Sequence, residues 1–409
     1  MNNQKSNWQS LKLSNVTEYV NRGVPPVYTQ DNAGTAVINQ KCIRDGLVNL
    51  DYCRLTDEAA RSVPLEKIIQ PFDILVNSTG TGTVGRVGQV FDLTQRTTVD
   101  THVTIVRPNK NVVDPLYLGN WLKTKQDELE GLAGGSTNQV ELSRAKIAEL
   151  DVVLPPIDIQ KKISSIVSSL DILISKTTQV IHKMDDLKQG LMRELFTKGL
   201  RHSNFKKTKI GDIPVDWEIV TLGSYADVST GTTPSTSKPH YYSGDNIFIK
   251  TTEISNNRIS KGSVFLSNEA VKKYRLKLYP PGTVLLAMYG QGKTRGQTAL
   301  LDVAATTSQN AAAIVPNDKL DSEFLWYYLL SQYLSLRNSG TQGHISHLNL
   351  GYVKDVLVPL PSKNEQKEIA QILKSVTARY KFEEKSKKQL LILKKGLLHD
   401  IFTRKVEVN

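Results

Sequence analysis

Residues 157–176 read IDIQKKISSIVSSLDILISK, and the apolar rhythm that starts there runs on to Leu195. Ile159, Ile163, Ile166, Leu170, Leu173, Val180, Met184, Leu187, Leu191 and Leu195 succeed one another at steps of four and three, with Thr177 in step as the polar member. That is a heptad seam, the mark of a long helix that lays one stripe against another helix. At about 1.5 Å per residue, the span from Gln160 to Phe196 makes a rod of roughly 55 Å.

The partner helix lies in the same chain. Each position recurs 206 residues later: Gln160 as Gln366, Ile163 as Ile369, Leu187 as Leu393, Gly190 as Gly396, Phe196 as Phe402. The offset holds without a gap from Leu154-Pro155 (Leu360-Pro361) to Thr197 (Thr403). An uninterrupted offset of this length marks an internal duplication. If the two helices pair antiparallel, their middles meet. Leu173, Thr177 and Val180 are then predicted to share a polar layer with Arg379, Glu383 and Ser386, which would set the register.

Outside the helices the copies agree in framework and differ in detail. Trp8 and Leu13 recur as Trp217 and Leu222, and the strand-like DILVN (73–77) recurs as TVLLA (283–287). A helix is predicted over 115–132, ending at Gly134-Gly135. Its Leu118, Trp121 and Leu122 match Phe324, Tyr327 and Tyr328 at the offset of 206. The strand-like HVTIV (102–106) and ELDVVLPP complete the first copy, and the prolines launch the long helix. The fold class expected is mixed α/β (α+β): two duplicated globular domains joined by two long antiparallel helices in a coiled coil. The boundaries are 1–156 for the first domain, 157–200 for the central helix, 201–362 for the second domain and 363–409 for the last helix. Shared scaffolding with different loops suggests two recognition surfaces.

The 409 residues carry a formal net charge of +12, with a pI near 9.4, which favours a polyanionic partner. Cys42 and Cys53 form no CxxC pair and imply neither a disulfide framework nor a zinc site. No apolar run is long enough to span a membrane, and the N-terminus is polar. A cytoplasmic protein without membrane attachment is expected.

Two motifs imitate nucleotide sites. GTGTVG (80–85) fits GxGxxG, and AMYGQGKT (287–294) fits a loose phosphate loop. Each follows a strand, but a phosphate site also needs a helix next, with its N-terminal N–H groups facing the anion. RVGQVFDLTQ and RGQTALLDVA follow instead, and both read as strands. The two loops also occupy equivalent places in the repeat. They read as glycine-rich hairpins, either structural or bringing Arg86, Lys293 and Arg295 to a phosphate backbone.

Catalytic constellations are missing. There is no Asn-Pro-Pro-Tyr, Asp-Pro-Pro-Tyr or HExxH, and His344 and His347 have no carboxylate cluster. What remains is basic and polar. Lys272, Lys273, Arg275 and Lys277 alternate with Tyr274 and Tyr279, while Lys41, Arg44 and Arg54 occupy the matching region of the first copy. Thr79 and Arg258 join them as candidate DNA contacts. The amides and hydroxyls of Thr137, Asn138 and Gln139, and of Thr341 and Gln342, are able to reach base edges or phosphates. No metal ligand is assigned.

IGDIPVDWEIVTLG (210–223), PGTVLLAMYGQGKTRG (281–296), GTQGHI (340–345) and the pair LPPIDIQKKI (154–163) and LPSKNEQKEI (360–369) together resemble the specificity subunits of type I restriction–modification systems. The first copy departs in opening SNWQSLKLSNV, without the Ile-Gly-x-Ile-Pro lead-in. The resemblance covers nearly the whole chain. It implies a non-catalytic subunit in which each globular domain reads one half of a bipartite target in double-stranded DNA. It implies too that the helix pair sets the spacing and docks two methyltransferase subunits, to which restriction subunits add. Pro155, Pro156, Gln160, Phe196, Pro361, Gln366 and Phe402 are the docking candidates it suggests. S-adenosylmethionine, ATP and magnesium would then belong to the partners, with no cofactor in this chain. The rival classes are a self-contained DNA-cutting enzyme, opposed by the missing motifs, and a protein-only scaffold, opposed by the charge.

Overall fold

The computed structural model describes residues 8–135, 140–290, 292–339 and 347–406. They form two compact units: Met1–Thr177 with Ser386–Asn409, and Thr178–Lys385. Both boundaries fall inside the long helices, Ile157–Thr197 and Lys363–Phe402, so each helix gives one half to each unit.

In the first unit a six-stranded sheet is ordered Thr17–Arg22, Val103–Pro108, Ile74–Asn77, Val87–Gln89, Leu47–Val48 and Ile43–Arg44. Val103–Pro108 runs antiparallel to both neighbours. In the second unit the order is Ala226–Thr230, Ala311–Pro316, Val284–Ala287, Thr298–Leu301 and Asn257–Ile259, with the same directions strand for strand. The central strands read as near-continuous apolar runs (ILVN, VLLA, AAAIVP) because both faces are covered. A smaller sheet in each unit repeats a parallel pair, Thr97–Val99 beside Thr35–Ile38 and Thr306–Thr307 beside Asn246–Ile249. Both sequences that follow the glycine loops are strands, Val87–Gln89 and Thr298–Leu301. Each loop is therefore a hairpin between antiparallel strands rather than a phosphate site.

The helix predicted over 115–132 is two segments, Pro115–Thr124 and Gln126–Leu132, broken at Lys125 (φ −93°, ψ 9°). The second unit breaks in the same way at Gln332 (φ −88°, ψ 7°), between Ser322–Ser331 and Tyr333–Asn338. The later segment lies against the glycine hairpin. A Cβ on Gly85 would stand 2.9 Å from the Glu130 nitrogen, and one on Gly296 would stand 3.1 Å from the Arg337 nitrogen. Both glycines have positive φ, so the hairpin needs them for conformation and for closeness.

These neighbours correct the repeat register. Asp114 and Asp321 are the equivalent N-caps, and the Thr124 and Ser331 hydroxyls donate to the equivalent carbonyls of Trp121 and Tyr328. The short helices thus match at an offset of 207, one more than the sequence match suggested. Tyr117 corresponds to Phe324, and each packs edge-on at 5.4 Å against its own long-helix phenylalanine, Phe402 or Phe196.

Within each unit the long-helix halves run antiparallel. In the first, Ile163 and Val167 share a core with Leu398 and Ile401, and Asp171 binds Lys394 at 2.5 Å. In the second, Leu195 and Phe196 share a core with Ile369 and Leu373, and the Lys188 ammonium lies over Tyr380. The seam differs from the predicted stripe. Ile163, Val167 and Thr177 turn inward, with Ile174 and Ile181 half-buried beside them, whereas Ile166, Leu173, Val180 and Leu187 are exposed. The residues of the expected polar layer are divided between the units, Thr177 in the first and Glu383 in the second. Counting on from Asp171–Lys394, Thr177 falls beside the stretch at Lys387–Lys388. Counting from Lys188–Tyr380, Glu383 falls beside the stretch at Met184–Asp185. Thr177 instead turns its hydroxyl to the Leu173 carbonyl, and Glu383 pairs with Arg379 one turn away. Among the described residues, no helix is long and apolar enough to cross a membrane.

Candidate nucleic-acid interface

At one end of the first unit's large sheet, the chain brings Gln40, Thr79 and His102 together. Asn39 caps a single 3-10 turn by accepting the Lys41 N–H at 2.9 Å, and this aims the Gln40 amide at the hairpin. Gln40 Nε2 donates to the Thr79 carbonyl (2.8 Å) and hydroxyl (2.6 Å), and Thr79 Oγ1 lies 2.7 Å from His102 Nδ1. Lys41 is exposed on the same turn and Arg44 on the edge strand that follows it, and Arg54 lies 3.3 Å over the Tyr28 ring. Arg86 donates to the Gly82 carbonyl at 2.7 Å, so its guanidinium braces the hairpin it belongs to.

The flanks of the polar loop are tied to that hairpin. The Leu142 N–H donates to the Ser78 carbonyl, and Glu141 bridges to Gly134 and Thr79. The second unit repeats the first of these: the Leu348 N–H donates to the Met288 carbonyl, and Tyr289 stacks on His347 at 4.9 Å and 8°. Thr137, Asn138, Gln139, Thr341 and Gln342 themselves lie outside the described residues.

Lys272, Lys273 and Arg275 are exposed at the end of the helix Asn268–Lys273. Arg275 takes φ 50°, the left-handed turn that ends this helix. Lys273 lies 5.5 Å from the Tyr241 ring, whose hydroxyl holds the ammonium above its ordinary range. Lys293 is exposed on the second hairpin, and Arg295 reaches back to the Arg337 carbonyl.

Arg258 is a correction. Its guanidinium is taken up by Asp302 at 2.6 Å and Glu323 at 2.5 Å, and Lys374 closes on Glu323 at 3.0 Å. A cation so paired supports the unit rather than meeting a phosphate. The docking candidates are corrected too. Pro155, Gln160, Phe196, Pro361 and Gln366 are buried, Phe402 is half-buried, and only Pro156 is exposed. Gln160 and Gln366 are internal locks and offer no surface to a partner.

Sequence reasoning passed over Gln40, His102, Tyr28, Tyr241 and Tyr289. Each is a single polar or aromatic residue whose neighbours are distant in sequence, so no spacing revealed it. Among the described residues, no group of three or more His, Cys, Asp or Glu side chains is placed to hold a metal ion.

Comparison with known proteins accords with this duplicated architecture. Residues 5–183 and 214–391 each match the family model described as type I restriction modification DNA specificity domain. The type I restriction enzyme MjaVIII specificity subunit of Methanocaldococcus jannaschii is 27% identical over 98% of this chain and 93% of its own length. The EcoR124I/EcoR124II specificity subunit of Escherichia coli is 21% identical over 69% of this chain and 68% of its own length. Among solved structures, the type I S subunit from M. genitalium shares the fold with a TM-score of 0.62 at 14% identity, covering 100% of this chain and 99% of that one. A chain of a type I R-M system solved for its assembly and conformational transition also gives 0.62, at 17% identity, covering 98% and 99%. With both copies matched and the same framework built twice, the chain belongs to the type I restriction modification DNA specificity family, as a sequence-specificity subunit.

Proposed function

We propose that residues 1–156 and 201–362 are two target-recognition domains, each reading one half of a bipartite target in double-stranded DNA, and that 157–200 and 363–409 are the spacers between them. The observation that carries this is the second hairpin. Two units with one strand order place a glycine hairpin and the anchored flank of a polar loop at the same spot, yet furnish it differently. Gln40, Thr79 and His102 occupy it in the first unit, and Tyr289 and His347 in the second. A common framework with different side chains suits one mode of docking on two sequences.

Lys41, Arg44, Arg54, Lys272, Lys273, Arg275 and Lys293 are the proposed phosphate contacts, with Thr79, Arg86 and Arg295 shaping the hairpins. The spacer pair docks two methyltransferase subunits, to which restriction subunits add. The exposed heptad row Ile166, Leu173, Val180 and Leu187 supports this, since it is an apolar stripe left over after the internal seam is filled. This subunit has no catalytic site and acts in the cytoplasm. S-adenosylmethionine, ATP and magnesium serve its partners.

The test is methylome sequencing of cells expressing the chain with its cognate methyltransferase. Two defined half-sites around an unread spacer are expected, and replacing residues 1–150 should change one half only. A swap that altered both halves together would sink the independent-reader reading. Cleavage of DNA by the purified chain alone would favour an enzyme instead.

A further inference from the structure

A cavity of about 750 Å³ opens in the first unit between the helix Pro115–Thr124 and the last turns of the second long helix. Trp121, Leu398 and Phe402 give it apolar walls; Lys123, Lys125, Lys394 and Lys395 outnumber the two carboxylates on its lining, Asp45 and Asp127. Lys394 is already paired, 2.5 Å from the Asp171 carboxylate. Lys123 is not: among the described residues its ammonium has no hydrogen-bond acceptor, and it lies 5.9 Å from the centre of the Phe91 ring. Burial, with Lys394 adding repulsion, pushes the ammonium down to about 8, and Asp171 offsets only part of this. A cation in that state gains from any anion brought to it.

The second unit keeps a lysine at one of these places, Lys188 for Lys394, and has Arg193 for His399, but differs at the others. In the aligned positions Leu330 replaces Lys123, Gln189 replaces Lys395 and Gln332 replaces Lys125. The lysine at position 123, between the short helix and the long one, is thus a property of one unit rather than of the repeated scaffold.

The walls decide what kind of anion fits. A duplex phosphate is broad and hydrated, and suits exposed lysines on an open face. A cavity walled by Trp121, Leu398 and Phe402 suits a carboxylate carried on methylenes, which fill the apolar part while the charge meets the ammonium. The cavity also borders Leu391, an exposed residue of the second long helix and so of the helix pair proposed above for protein docking.

We propose that this cavity receives an acidic side chain of the methyltransferase subunit docked on the first unit, and that the second unit offers no equivalent, so the two docking sites differ chemically. The proposal rests on the docking reading. It is tested with the full chain and its purified cognate methyltransferase subunit, by sedimentation velocity across a concentration series. Lys123→Glu should weaken one of the two binding events tenfold or more and leave the other unchanged, while Lys123→Arg keeps both. Lys123→Met, which retains the packing without the charge, should show a several-fold loss at the same event and covers the case in which the glutamate variant fails to fold. Unchanged binding of both copies by Lys123→Glu and Lys123→Met overturns the proposal and leaves docking intact. A loss of DNA affinity with assembly unchanged overturns it in favour of a phosphate. No uptake of the methyltransferase subunit by the unaltered chain removes the docking reading itself.

Discussion

The side-chain oxygen of Gln160 accepts the backbone N–H of Asp114 at 2.9 Å, while its amide nitrogen donates to the Pro155 carbonyl at 2.9 Å. Gln366 repeats both bonds, from the Asp321 N–H at 2.7 Å and to Pro361 at 2.9 Å. Asp114 and Asp321 are the N-caps of the short helices, so in each unit one glutamine fastens the start of a long helix to the globular part. The long helix and the short helix of each unit are thereby tied at their starts.

Gln160→Ala and Gln366→Ala should each destabilise the fold by roughly 1–3 kcal/mol, because a part-buried N–H and a proline carbonyl lose their partner together. Thermal denaturation of the isolated chain checks this. A midpoint unchanged in the free chain, with assembly impaired, would return these residues to a docking role.

Glu323 makes the second unit sensitive to acid. Burial pushes its carboxyl up, but Arg258 and Lys374 outweigh burial and hold it below its ordinary range. A depressed folded-state value means stability that is fully present above the unfolded value, about 4.3. That stability is lost as pH falls through the lower folded value. Glu323→Gln should cost about 1 kcal/mol near pH 7, a modest figure because the cluster is partly exposed. It should also flatten the loss of stability below about pH 4.3. Urea unfolding at a series of pH values reads both effects.

Charge reversal at Lys272 and Lys273 should weaken DNA binding across sequences and lower the salt slope by about 1 for each phosphate that is no longer neutralised. The measurement is affinity against salt concentration, with the methyltransferase subunit present. An unchanged slope would remove both lysines from the interface.

The rods should act as a ruler. Duplicating one heptad near Lys176 and one near Phe382 adds about 10 Å to each helix. That corresponds to about 3 base pairs of duplex. Seven residues nearly restore the seam, whereas two or three would rotate it away. Both half-sites should persist around a longer spacer in the methylome. An unchanged spacer with full activity would mean that the globular domains set the distance.

Repetition alone determined much of this protein. The gapless match of residues 154–197 to 360–403 established two long helices and two copies of one scaffold, because a duplication needs only self-comparison to be seen. The valines, threonines and glycines after each glycine loop identified strands and dismissed the nucleotide motifs. Tertiary structure decided what periodicity left degenerate. Ile166-Val167, Leu173-Ile174 and Val180-Ile181 are adjacent apolar pairs, so either member fits a heptad, and only packing against the second helix selected Val167, Ile174 and Ile181. The same limit hid the one-residue shift in the short helices, where Trp-Leu and Tyr-Tyr-Leu align almost equally well until Thr124 and Ser331 show their hydrogen bonds. Charge could not separate Arg258, which carboxylates distant in sequence hold, from Lys272, which stands exposed. Local sequence records what a residue is able to do, and the partners brought to it by the fold decide whether that capacity is already spent.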